Sequence, residues 1–287
     1  DLRRAEDIVD RQIGANTLFA LESAILKALA KEQKKEIWEL INLKSKKFPR
    51  LVGNCIGGGK HASGKKPDFQ EFLIIPNLKN TKENWEKSKK LKEEVKYFLK
   101  NNDKSFEAKK TDEDAWSTKL NEKEVFDILK KLDIHFGTDV AASSFYKRKK
   151  YSYENPMLKR TAEEQFDYIS NLIKNFNLFY IEDPFDEEDF ESFAKLLKKF
   201  PNSLIVGDDL TTTNYKRLEK AIKIKSINAI IVKPNQIGSL LEVKKVCELS
   251  AKNGIKIVFS HRSGETSETS LADLAFGFGA DFFKCGI

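Results

Sequence analysis

The stretch INAIIVKPNQIG, Ile227 to Gly238, poses the problem from which the fold can be read. Ala229 to Val232 form an unbroken apolar run of strand-forming residues, and the run ends on Lys233 followed by Pro234. A proline removes a backbone donor and restricts the residue before it, so the regular element stops there. A lysine is almost never fully buried unless it is paired, so a charge at the tip of a buried strand is either a solvent cap or a working group.

Working outward, the same pattern of a short apolar run ending in a polar residue recurs along the chain. Strands are expected at Leu51 to Ile56, Phe69 to Ile75, Ile134 to Ala141, Leu178 to Glu182, Leu204 to Asp208, Ala229 to Lys233, Lys256 to His261 and Asp281 to Lys284. From the third onward each is followed by an amphipathic segment, as in Glu163 to Lys174, Glu187 to Lys199 and Ser239 to Lys252. Eight strands in this rhythm predict an α/β fold of the (β/α)₈ barrel type. The first two strands are separated only by GGGKHASGKKP, which predicts an irregular, hairpin-like opening.

Ahead of the barrel, Ala15 to Ile41 read as one long or two shorter helices, with Leu18, Leu21, Ile25, Leu26 and Leu29 at helical spacing. The texture changes after KSKKFPR. Residues 1–46 are therefore expected to be helical and residues 47–287 the barrel. The chain starts at Asp1, and no helix follows the eighth strand. Both features lead to the expectation of an internal fragment of a longer protein, with an uncovered eighth strand open to aggregation.

Composition narrows the function. The net charge is +7, yet lysines are interleaved with acids in runs such as KENWEKSKKLKEEVKYFLK, the pattern of a solvated helix face and not of a nucleic-acid patch. Cys55, Cys247 and Cys285 are widely spaced and odd in number, which fits a reducing cytoplasm; Cys247 and Cys285 read as small core residues. No apolar run reaches the ~18 residues of a membrane span. GKHASGKK, Gly59 to Lys66, mimics a phosphate-binding loop, but it puts Lys66 where a hydroxyl should bind Mg²⁺ and leads into Pro67 and a strand.

Asp139, Glu182, Asp208, Lys233, His261 and Lys284 all close apolar strands. In a barrel this is the rim where chemistry is placed. Three carboxylates converging there would repel one another unless a cation neutralised them, and an all-oxygen set favours Mg²⁺ over zinc. Two lysines beside a metal are expected to have depressed pKa values, suiting one of them to act as a general base. Together these groups suit removal of a proton next to a carboxylate.

GANTLFALESAILKALA, GGGKHA, PDFQEFLIIP, DVAASSFY, YIEDPFDEEDF, VGDDLTTTN, IIVKPNQIGSL, SHRSGETSET and DLAFGFGADFFKCG, in this order, resemble the enolase family. The resemblance implies a glycolytic lyase that interconverts 2-phosphoglycerate and phosphoenolpyruvate, with residues 1–46 the helical remnant of an amino-terminal α+β domain. It implies that Asp139, Glu182 and Asp208 hold a structural Mg²⁺, that Lys233 takes the C2 proton, and that Lys284 pairs with the substrate carboxylate. It further implies that Arg262 and Ser263 hold the phosphate and that His61 and His261 line the pocket. Glu71 and Glu113 fall on the leaving-group side, with Glu113 giving a proton to the departing hydroxyl. A second Mg²⁺ would be completed by substrate and by a mobile serine-bearing loop absent from this chain, and the full-length protein would be a cytoplasmic homodimer.

His135 reads as structural, and DEEDF after Pro184 as an acidic first helical turn. Asp114 stands where the family has a glycine, next to Glu113, and is expected to alter the loop and raise the pKa of its neighbour. The interval from His61 to Glu71 is one residue longer than is usual in the family, and Pro234 directly after Lys233 is uncommon. Two alternatives stay open: a noncatalytic enolase-like protein, and another lyase or racemase of the superfamily.

Overall fold

A computed structural model describes residues 2–9 and 13–287 of the chain. Three helices come first: α1 Leu2–Val9, α2 Ala15–Gln33 and α3 Ile37–Ile41. The run from Ala15 to Ile41 is thus two helices, broken where Lys34 turns left-handed (φ 54°) and Glu36 caps α3. The barrel follows as β1 Arg50–Gly57, β2 Glu71–Ile75, α4 Thr81–Asn102, α5 Glu122–Leu129, β3 His135–Asp139, α6 Ala162–Phe176, β4 Tyr180–Glu182, α7 Phe190–Lys199, β5 Leu204–Gly207, α8 Tyr215–Ile224, β6 Ala229–Val232, α9 Pro234–Ile237, α10 Leu240–Lys252, β7 Lys256–Ser260, α11 Ser270–Gly277 and β8 Phe282–Gly286.

The eight strands close on themselves in sequence order, with β8 pairing to both β7 and β1. Because β4, β5 and β6 are buried along their whole length, their apolar runs have no polar alternation. Val52, Leu73, Tyr180, Val206, Ile231 and Val258 fill the interior, and a second apolar layer packs between sheet and helices. Helix ends are fixed locally: Thr161 and Glu164 cap α6 reciprocally, as Asn121 and Glu124 cap α5.

The barrel is mixed. Strand β2 is antiparallel to both β1 and β3, with Glu71 opposite Asp139, whereas the other barrel pairings are parallel. The hairpin-like opening is therefore present, and its consequence is that the start of β2, not its end, lies on the rim.

Three expectations are corrected. Between β3 and α6 lies a small antiparallel sheet, Tyr146–Lys147, Lys150–Glu154 and Met157–Arg160, in place of a direct passage into helix. DEEDF is not the first turn of α7: Asp186 to Asp189 form the turn before it, and the Asp189 carboxylate caps the helix by accepting from the Ser192 amide at 3.0 Å. Nor has β8 a free edge, since both sides are paired; its outer face instead opens on an apolar groove of about 540 Å³ bordered by Trp38, Phe48, Trp85, Phe276 and Phe283. Cys285 borders that groove, while Cys55 and Cys247 are buried.

Candidate active site

Asp139 and Glu182 end β3 and β4, Asp208 and Lys233 directly follow β5 and β6, His261 follows β7, and Lys284 lies within β8. The closed sheet brings all six to one rim. Oxygens of Asp139, Glu182 and Asp208 lie within 4.8 Å of one another, and all three side chains are buried. Glu71 and Glu113 reach the same cleft, of about 160 Å³, with His61, Arg262 and Ser263 at its mouth.

The two lysines hold these acids together. Lys284 Nζ donates to both Glu182 oxygens at 2.8 and 3.0 Å and to Asp139 Oδ2 at 3.2 Å, and lies 3.2 Å from Glu71 Oε2. Lys233 Nζ pairs with Asp208 Oδ2. Burial pushes the Lys233 ammonium down, but Asp208 outweighs it and the pKa is raised. Without a metal the lysine meets its nearest carboxylate, Asp208, more strongly than it feels the other cation, Lys284. Lys284 behaves alike, with burial outweighed by Asp139, Glu182 and Glu71.

The acids divide in the opposite sense. Burial drives Glu182 well above the usual carboxylate range, aided by Asp139 and Asp208 and opposed by Lys284. Burial also raises Glu71, to about 8, against Lys284. Glu113 is buried as well, yet Lys284, His261, His61 and the Asn54 amide bring it below its ordinary value. His261 is lowered, chiefly by burial.

Glu113 sits at the tip of a tight turn. Asn54 Nδ2 donates to its Oε2 at 3.1 Å, and its Oε1 lies 3.8 Å from His61 Nε2 and 3.9 Å from His261 Nε2. Asp114 does not disturb it. Its φ of 62° is the left-handed conformation a glycine would take, and its carboxylate turns away to Lys92 and Lys110, at 2.8 and 2.6 Å. Both parts of the expectation for Asp114 are therefore overturned.

Pro234 occupies the first position of α9, where its missing amide hydrogen costs no helical bond. His61 lies in the 3₁₀ turn Gly59–His61 and reaches the cleft despite the longer loop. Lys66 bonds the Ala62 carbonyl at 2.7 Å, and no helix opens after it, so the mimic of a phosphate loop is local structure. Arg262 is exposed at the mouth, and its guanidinium has no ion pair among the described residues.

Several supporting residues escaped the sequence. Tyr180 donates its hydroxyl to Glu182 Oε2 at 2.7 Å, and Asp183 accepts the amides of Asp208 and Asp209 at 3.0 and 2.6 Å, fixing the turn after β5. The doubled acid of YIEDP carried a signal for Asp183: Glu182 serves the cleft and the next carboxylate serves the backbone. Asn54 is buried in the middle of β1, where a polar residue needs a partner, and that too was a usable hint.

The donor set fits Mg²⁺. Asp208 Oδ1 is buried with no hydrogen-bond partner, and four carboxylates face two ammonium groups, an excess of negative charge on hard oxygen ligands. The fold and site thus define a mixed (β/α)₈ barrel with an acidic, lysine-bearing, magnesium-type rim.

Residues 45–287 match the family described as enolase, C-terminal TIM barrel domain. The chain is 41% identical over 258 residues to the enolase of Pyrobaculum aerophilum, a match covering 85% of this chain and 61% of that protein. It is 38% identical to the enolase of Methanosphaera stadtmanae and 36% to that of Natronomonas pharaonis, each across 96% of this chain and 70% and 71% of the relative. The chain belongs to the enolase family.

Proposed function

We propose that this chain carries the catalytic barrel of a phosphopyruvate hydratase, which removes water from 2-phosphoglycerate to give phosphoenolpyruvate. The observation that carries the reading is one cleft lined by Asp139, both lysines, the Glu71–Glu113 pair and two histidines, with Glu182 and Asp208 paired to those lysines.

Asp139, Glu182 and Asp208 would hold Mg²⁺, which when bound supplies positive charge against the substrate carboxylate and the electrons that collect there on proton loss. Lys233, once freed from Asp208 and neutral, takes the C2 proton. The C2 electron pair moves into the carboxylate, which Lys284 faces as a fixed cation. As that pair returns to form the C2–C3 double bond, the C3–oxygen bond breaks, and the departing hydroxyl leaves as water with a proton that the Glu71–Glu113 pair supplies, carried by Glu71 at rest and delivered through Glu113. Glu71, within 4.8 Å of it by carboxylate oxygens, is the proton-bearing neighbour of that acid. Arg262, Ser263 and His61 hold the phosphate, for which a planar and permanently charged guanidinium is well suited.

Asp114, the motive for a noncatalytic reading, points away from the cleft. Among the described residues no helix is long and apolar enough to cross a membrane, and family resemblance supports a cytoplasmic homodimer for the full-length protein. The test is phosphoenolpyruvate formation from 2-phosphoglycerate by that full-length protein. Turnover that needs Mg²⁺ and stops on chelation is expected. Folded, Mg²⁺-binding protein with no turnover would overturn the reading.

A further inference from the structure

The turn that carries Glu113 is held from both flanks. Lys109 to Ser117 fold back on themselves, with the Ser117 amide donating to the Lys109 carbonyl at 2.9 Å and the Thr111 amide to that of Ala115 at 2.8 Å. Asp114 ties one flank to Lys92 of α4. Asp112 ties the other, and its partners lie on two different loops. Its Oδ1 accepts from His61 Nδ1 at 2.8 Å, and its Oδ2 accepts from the Ser263 hydroxyl at 2.7 Å.

One carboxylate therefore joins the Gly59–His61 turn, the Glu113 turn and the loop after β7 that presents Arg262. Its side chain is 48% exposed, so the two bonds by themselves add little stability. Their consequence is geometric. With Nδ1–H committed to Asp112, His61 must present Nε2 to the cleft, where it lies 3.8 Å from Glu113 Oε1.

We propose that Asp112 is a positioning residue that fixes the tautomer and direction of the His61 ring and locks the Ser263–Arg262 loop to the Glu113 turn. Its effect on catalysis rests on the function proposed above, whereas its effect on the ring does not. An asparagine at 112 keeps an acceptor oxygen for His61 Nδ1 but turns an amide NH2 toward Ser263, whose hydroxyl must then accept, whereas an alanine removes both bonds.

The experiment compares full-length wild type with Asp112→Asn, Asp112→Ala and the opposite-flank control Asp114→Gly. The His61 ring nitrogens can be assigned by ¹⁵N NMR through comparison with a His61→Gln spectrum. The wild-type ring of His61 should show the Nδ1-protonated tautomer. Asp112→Ala should mix tautomers and raise KM for 2-phosphoglycerate about 10- to 100-fold, the scale on which orienting partners of ligand residues act, with a smaller change in kcat, and Asp112→Asn should do the same to a lesser degree. Asp114→Gly keeps the left-handed turn and should leave the tautomer unchanged. An unaltered His61 ring, or a KM within about twofold of wild type in both Asp112 variants, would overturn the proposal. Absence of turnover in wild type would remove the hydratase reading, while the ring spectrum would still decide the role of Asp112.

Discussion

The two ends of the barrel each bury positive charge, and they do so in opposite ways. At the amino-terminal end of the strands, the Arg50 guanidinium donates to the carbonyls of Ile75 and Pro76, faces His135 Nδ1 at 3.1 Å and lies 5.1 Å over the Phe179 ring. Its partners are neutral; burial lowers it to about 10, which leaves it charged at pH 7. At the rim, Lys233 and Lys284 face carboxylates that outnumber them, and Asn54 Oδ1, Glu71 Oε2, Asp208 Oδ1 and His261 Nε2 are all buried without a hydrogen-bond partner. One end is a finished plug. The other is polar and crowded, with buried acceptors turned toward the cleft.

The contrast can be broken most severely at Lys284. Lys284→Met leaves Asp139, Glu182 and Glu71 without their shared cation, and removing one partner of a buried charge cluster costs about 3–5 kcal/mol. Chemical denaturation in the presence of chelator should show that loss, and saturating Mg²⁺ should recover part of it. A variant as stable as wild type in chelator would show that the rim acids do not depend on the lysine.

Arg50→Met tests the other end. It strands two carbonyl acceptors, for a loss of about 1–3 kcal/mol. Mg²⁺ should restore none of it, and turnover by the full-length protein should be unchanged. Recovery by Mg²⁺ would mean that the two ends are not energetically separate.

The smallest effect lies outside the barrel. Glu22 of α2 is buried and accepts from the Leu240 amide at the start of α10. Burial, with Glu6 nearby, raises it to about 7. Between the model-compound value of 4.5 and about 7, the folded state holds a proton that the unfolded state has lost, so stability should fall as pH rises through that window. Glu22→Gln should flatten this slope in thermal melts. An unchanged slope would place the dependence elsewhere.

Strand positions were legible to within one or two residues because barrel strands buried on both faces read as continuous apolar runs. AIIV announces itself. The reversed direction of β2 was legible only from the connection, since EFLII is equally apolar in either sense and it is the missing helix before it that pointed to a hairpin; that this brings Glu71 to the rim by its first residue was not drawn from it. The sheet between Tyr146 and Arg160 was missed because its strands are short, partly exposed and rich in charge.

Asp139, Glu182, Asp208, Lys233 and Lys284 were readable from their place at strand tips, whereas Glu71 and Glu113 came only from the family resemblance. Their pairing was not readable. That Lys233 meets Asp208, or that Asp112 bridges His61 and Ser263 from positions 51 and 151 residues away, follows only from how the loops converge.

The central claim is that Lys233 and Glu113 act on opposite sides of one substrate. Exchange of the C2 hydrogen of 2-phosphoglycerate with deuterated solvent, followed by NMR in the full-length protein, tests it most directly. Glu113→Gln should still exchange that hydrogen while forming no phosphoenolpyruvate, and Lys233→Ala should do neither. Exchange at the wild-type rate in Lys233→Ala would contradict the account.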